Sequence, residues 1–87
     1  MSREAKIRAA LTAAFEPLRL EIIDDSHLHA GHTGAAGGHG HYRVRIVSAR
    51  FAGQPLVARH RMVYSALGSL MDTDIHALGI RALTPEE

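Results

Sequence analysis

The side chains best suited to chemistry in this 87-residue chain are its seven histidines, and five of them fall between His27 and His41. Those fifteen residues also hold five glycines and no charged side chain. Imidazole can ligate a metal or pass a proton, and it is equally at home in solvent. The His27/His29, His29/His32 and His39/His41 spacings suit unselective binding of a divalent ion. A solvated, glycine-rich spacer fits the same residues. Cysteine is absent, which excludes disulfides, thiolate nucleophiles and any metal site built wholly from this chain's sulfur. Asp24 and Asp25 stand at a strand end, where carboxylates are usually solvated or capping. No Ser/His/Asp or paired-carboxylate set is specific enough to argue for catalysis, so a non-enzymatic role is expected.

The rest of the composition describes the scaffold. Hydrophobic residues make up 46% of the chain and charged residues 22%, an ordinary balance for one small globular domain over residues 1–87. With no Trp, the core must rest on aliphatic residues and on Phe15, Tyr42, Phe51 and Tyr64. A net charge of +1 is too mild to demand a polyanionic partner. No apolar run approaches the roughly 20 residues that span a bilayer, and the charged N-terminus has no signal-peptide pattern. A cytoplasmic protein without membrane contact is the expectation.

Local patterning places five elements. Ile7, Ala10, Leu11, Ala14 and Phe15 recur at helical spacing, with Ser2 as N-cap, Glu4 at the positive end of the dipole and Pro17 as a stop. Residues Leu20–Asp25 read as a strand, and 26–40 as a flexible His/Gly loop. From His41 to Ser48 the residues alternate cleanly, Tyr42, Val44 and Ile46 facing the core and His41, Arg43 and Arg45 facing water. Gly53 and Pro55 mark a turn into a helix over Leu56–Met71, whose apolar stripe is Leu56, His60, Val63, Tyr64, Leu67, Leu70 and Met71. On that stripe His60 reads as a packing residue. Residues Ile75–Leu83 read as the third strand and 84–87 as a polar tail.

The order is therefore α-β-β-α-β, a single α+β domain. Strands one and two, joined by the loop, are expected to be antiparallel. Strands two and three, joined through a helix, are expected to be parallel. Parallel strands begin at the same end of a sheet, so His76 should lie beside His41 and the loop, with six of the seven histidines at that end.

With the elements placed, the segments DDSHLHA (24–30), HYRVRIVS (41–48), RFAG (50–53), LVARHRMVYSAL (56–67) and IHALGIRALTP (75–85) closely resemble the BolA family. The resemblance covers nearly the whole chain and is specific, because the RHRMVY helix and the IHAL strand occur in the right order and spacing. It implies a fold similar to type II KH domains, a three-stranded mixed sheet with helices on one face. It also implies a role beside a monothiol glutaredoxin as a heterodimer, sharing a [2Fe–2S] cluster with that partner and glutathione. The family's histidine at the start of the third strand matches His76. Its second ligand, a Cys or a His in the loop after strand one, matches His29 in the His-type subgroup. The loop departs from the family in being longer, free of proline and richer in histidine, which makes His32 or His27 an alternate ligand. Two imidazoles on one iron are chemically sound, as in Rieske centres, with thiolates from elsewhere on the other iron.

The competing class is a DNA-binding transcriptional regulator with a KH-like or helix-turn-helix surface. Its candidate contacts are Arg43 and Arg45 on the wet face of strand two, with Arg50, Arg59 and Arg61 near the turn and long helix. Residues 59 and 61 point roughly 200° apart on a helix. The segment RFAGQP lacks the GxxG clamp of nucleic-acid-binding KH domains.

Overall fold

The computed structural model describes residues 1–25 and 40–87. The segment 26–39, with the candidate ligands His27, His29 and His32 and with His39, lies outside the described residues. Helix α1 (Arg3–Phe15) begins where Ser2 Oγ accepts the Ala5 N–H at 3.1 Å, as expected of an N-cap. It ends at Glu16 in the left-handed region (φ 45°), whose N–H bonds Thr12 O before Pro17 forbids a further turn. Strand β1 (Arg19–Asp24) pairs antiparallel with β2 (Gly40–Val47), and β2 pairs parallel with β3 (Ile75–Leu83), so β2 is central. Gly40, expected in the loop, opens β2 instead.

Both long helices cover one face of the sheet. Tyr42, Val44 and Ile46 of β2 and Ala82 of β3 meet Ile7, Leu11 and Phe15 of α1 and Val63 and Leu67 of α2 in a single core. Phe51, in the short 3₁₀ turn Ala49–Phe51, stacks obliquely on Phe15 with ring centres 4.9 Å apart. Buried Ser48 ties that corner together: its hydroxyl donates to Phe15 O at 2.8 Å and accepts the Arg50 N–H at 3.1 Å. The other face of the sheet is open. Arg43 and Arg45 lie on it, as the alternation predicts, with Glu21 and Ile23 of β1 on one side and Gly79 and Arg81 of β3 on the other.

The second helix corrects the sequence reading twice. Helix α2 (Leu56–Leu67) stops four residues before the expected Met71, because Gly68 takes φ +54° and closes the end by donating its N–H to Tyr64 O; a separate short helix α3 (Leu70–Thr73) follows. The buried stripe is also rotated. Arg59, Val63 and Leu67 face the core, whereas Leu56 is 65% exposed and Tyr64 41%. The reason is that Arg59 serves as a core residue. Its stem is buried, and its guanidinium finds Gln54 O at 2.8 Å, Ala82 O at 3.0 Å and both carboxylate oxygens of Glu87. An arginine with acceptors on all three of its guanidinium nitrogens can take a place that a leucine would otherwise fill.

Candidate functional site

The site forms where β2 and β3 begin. Along most of the ladder the register is constant: Ala82 lies opposite Ile46, Ile80 opposite Val44, Leu78 opposite Tyr42 and Ala77 opposite His41. One step further, Gly40 lies opposite Ile75 rather than His76. His76 is therefore the extra residue of a β-bulge, a device uncommon between parallel strands and often found beside functional sites. In unbroken alternation with Leu78, Ile80 and Ala82, His76 would point into the core. The bulge gives that place to Ile75, which is 2% exposed, and turns His76 out to the open side.

There the His76 ring meets the His41 ring, with centres 4.9 Å apart and planes inclined by 49°. Both backbones are held by hydrogen bonds. The Asp25 N–H donates to His41 O at 2.7 Å, and the Gly40 N–H donates to Asp74 O at 2.9 Å, just before β3. Asp74 is fastened in turn. The Thr73 hydroxyl first, then the Lys6 ammonium at 3.3 Å and the Arg3 guanidinium, hold its carboxyl below the usual aspartate range. Gly40 is required by a close approach, since a Cβ there would fall 2.8 Å from Tyr42 Cζ. Burial, and next the negative charge of Asp24, push the Tyr42 phenol above its ordinary value.

Topology thus brings His76 to His41, as the parallel crossover predicts. His29 and its alternates His27 and His32 lie outside the described residues. Among the described residues, no group of three or more His, Asp or Glu side chains surrounds a possible metal position. His60 is half-buried on α2, consistent with packing. The bulge was not foreseen, although a signal was present. Ile75 lies in the core and Leu78, three positions on, packs against it, a spacing that no regular strand can place on one face.

The arginines of the rival reading do not form one surface. Arg43 and Arg45 share the open face but are engaged by Asp25 at 2.6 Å and Glu21 at 3.3 Å. Arg50 pairs with Glu16 and Ala14 O, and Arg61 is exposed on α2. Arg59 is 7% exposed, with acceptors on all three guanidinium nitrogens, so it leaves the list of nucleic-acid contacts.

Comparison with known proteins agrees with this architecture. The family model described as "BolA-like protein" matches residues 11–87. A chloroplastic protein BOLA1 from Arabidopsis thaliana is 44% identical over 99% of this chain, which spans 56% of that protein. The Escherichia coli protein named DNA-binding transcriptional regulator BolA is 41% identical over the whole chain, which covers 79% of it. Among solved structures, the BolA domain of SufE1 from Arabidopsis thaliana superposes with a TM-score of 0.86, at 42% identity, covering 99% of this chain and 95% of that domain. No helix among the described residues is long and apolar enough to cross a membrane.

Proposed function

From the premise that this chain belongs to the BolA-like family, we propose that it is a non-enzymatic adaptor for iron–sulfur cluster trafficking or iron sensing. It pairs with a monothiol glutaredoxin and co-ligates a [2Fe–2S] cluster through histidine, with glutathione completing the set. The observation that supports this reading is the outward turn of His76 at the bulged start of β3. A bulge that carries an imidazole out of a core position into reach of a partner has a natural use as a fixed ligand. His29 is the family-matched loop ligand, with His32 as alternate.

The donor chemistry fits the group. This chain has no thiolate to offer, so its contribution is imidazole, and the thiolates come from the partner side. A cluster so ligated supplies a one-electron centre and a transferable iron–sulfur unit. Only neutral imidazole can ligate, which makes the assembly proton-sensitive. The chain's own part is to hold His76 outward on a hydrogen-bonded strand and to offer the open end of the sheet for docking.

Reconstitution of the chain with a monothiol glutaredoxin, glutathione, iron and sulfide tests the proposal. The mixed complex should give absorption and circular dichroism spectra distinct from those of the glutaredoxin homodimer. The distinct spectrum should be lost with His76→Ala; a spectrum indifferent to His76→Ala rejects the reading.

A second reading, DNA binding, is favoured by the name of the Escherichia coli relative and by the cross-strand neighbours Arg45 and Arg81 on the open face. It predicts DNA binding that falls steeply with salt and weakens when Arg43 and Arg45 are both changed to Ala. No binding at low salt removes it.

A further inference from the structure

The geometry points to His41 as the second imidazole of the site, forming with His76 a two-histidine pincer on the sheet itself. The inference rests on the proposed cluster-sharing role and puts His41 in the place that role gives to the loop ligand His29. A metal–nitrogen bond of about 2.1 Å and a tetrahedral angle put the centres of two imidazoles on one ion roughly 5 Å apart. The rings of His41 and His76 are 4.9 Å apart and mutually inclined, a separation that matches two imidazoles on one ion. The pair exists only because the ladder slips by one residue, which brings the two rings to the same side of the sheet.

Preorganisation adds to the case. His41 is on the central strand, fixed through Asp25 N–H, and His76 is on its parallel neighbour, fixed through Asp74 and Gly40. Ligands on strands bonded in this way lose little entropy when metal arrives, in contrast to ligands drawn from a glycine-rich segment. Two ligands from one chain leave the remaining positions to a partner, as a shared centre demands.

The test removes every loop histidine at once. In a chain carrying His27→Ala, His29→Ala, His32→Ala and His39→Ala, Zn²⁺ alone should still perturb the imidazole NMR signals of His41 and His76. Either His41→Ala or His76→Ala in that background should weaken Zn²⁺ binding at least about tenfold. His41→Gln provides a second variant, with far-ultraviolet circular dichroism confirming the fold of each. In the reconstituted complex with the glutaredoxin, nitrogen couplings in the pulsed EPR of the reduced cluster should number two for the loop-histidine-free chain and one after His41→Ala. If the loop-histidine-free chain shows one coupling and His41→Ala in the otherwise native chain still shows two, His41 is not a ligand. The cluster-sharing role then stands with a loop ligand. If His76→Ala also leaves both couplings in place, both readings fail.

Discussion

Arg59 on α2 grips the terminal Glu87 with two nitrogens, Nη1 to Oε1 at 2.5 Å and Nη2 to Oε2 at 3.2 Å. The same guanidinium takes Ala82 O and Gln54 O. One side chain thus joins the second helix, its entry turn, the third strand and the tail. Arg59→Ala strands the buried Ala82 carbonyl and empties a core position, and should cost about 2–4 kcal/mol in chemical denaturation. Arg61→Ala, two residues away and exposed, should change stability by less than about 0.5 kcal/mol. Equal effects of the two would contradict the assignment.

The same clamp predicts an acid transition. The Arg59 hydrogen bonds first, then the Thr84 N–H, hold the Glu87 carboxyl down to about 2, from an ordinary value of 4.5. A depressed folded value means that the clamp's contribution is complete above the ordinary glutamate range. It is lost as pH falls from about 4.5 towards 2. Urea midpoints measured across that window should therefore drop more steeply for the native chain than for Glu87→Gln, and parallel curves would count against the clamp.

Gly40→Ala should disturb the site from behind. The new methyl group collides with the Tyr42 ring, which is 4% exposed and cannot yield towards solvent without opening the core. A loss of about 1–3 kcal/mol is expected. Shifted His41 and His76 resonances should accompany it, because Gly40 N–H fixes the start of β3 through Asp74 O. Unchanged stability would show that the ring has another resting place.

The rotated face of α2 gives a paired prediction. Leu67→Ala, at a side chain 3% exposed, should cost about 2–5 kcal/mol. Leu56→Gln, at a side chain 65% exposed, should be within about 0.5 kcal/mol of neutral. The apolar periodicity of the sequence predicts similar costs, so thermal unfolding of the two variants decides between the faces.

The elements that alternate or recur without exception are legible in the sequence. Strand β2 is the clearest case, since Tyr42, Val44 and Ile46 are buried and Arg43 and Arg45 are exposed, as its pattern predicts. The meeting of His76 with His41 followed from topology alone, because a helical crossover makes β2 and β3 parallel. What could not be read were the places where a polar group does apolar work or a strand breaks period. Arg59 looks like a surface residue until its four acceptors on the entry turn, β3 and the tail are assembled in space. Gly68 looked like an interior helix residue, and only its positive φ shows that the helix has ended. The bulge at His76 is a long-range register choice, set by Ile75 claiming the core position opposite Gly40.

The bond from Arg59 to Ala82 O has one more consequence, for what the sheet can recruit. Leu83 O points towards β2, where it accepts the Ser48 N–H, so the preceding carbonyl, of Ala82, points away towards the sheet's outer margin. An unmet carbonyl on an outermost strand is a template on which a stray chain can grow the sheet. Arg59 occupies it. The guard stands at the C-terminal end of β3 and leaves the other end, where His76 emerges, unblocked by that arginine. By this arrangement the strand discourages indiscriminate extension at one end while keeping the histidine end approachable.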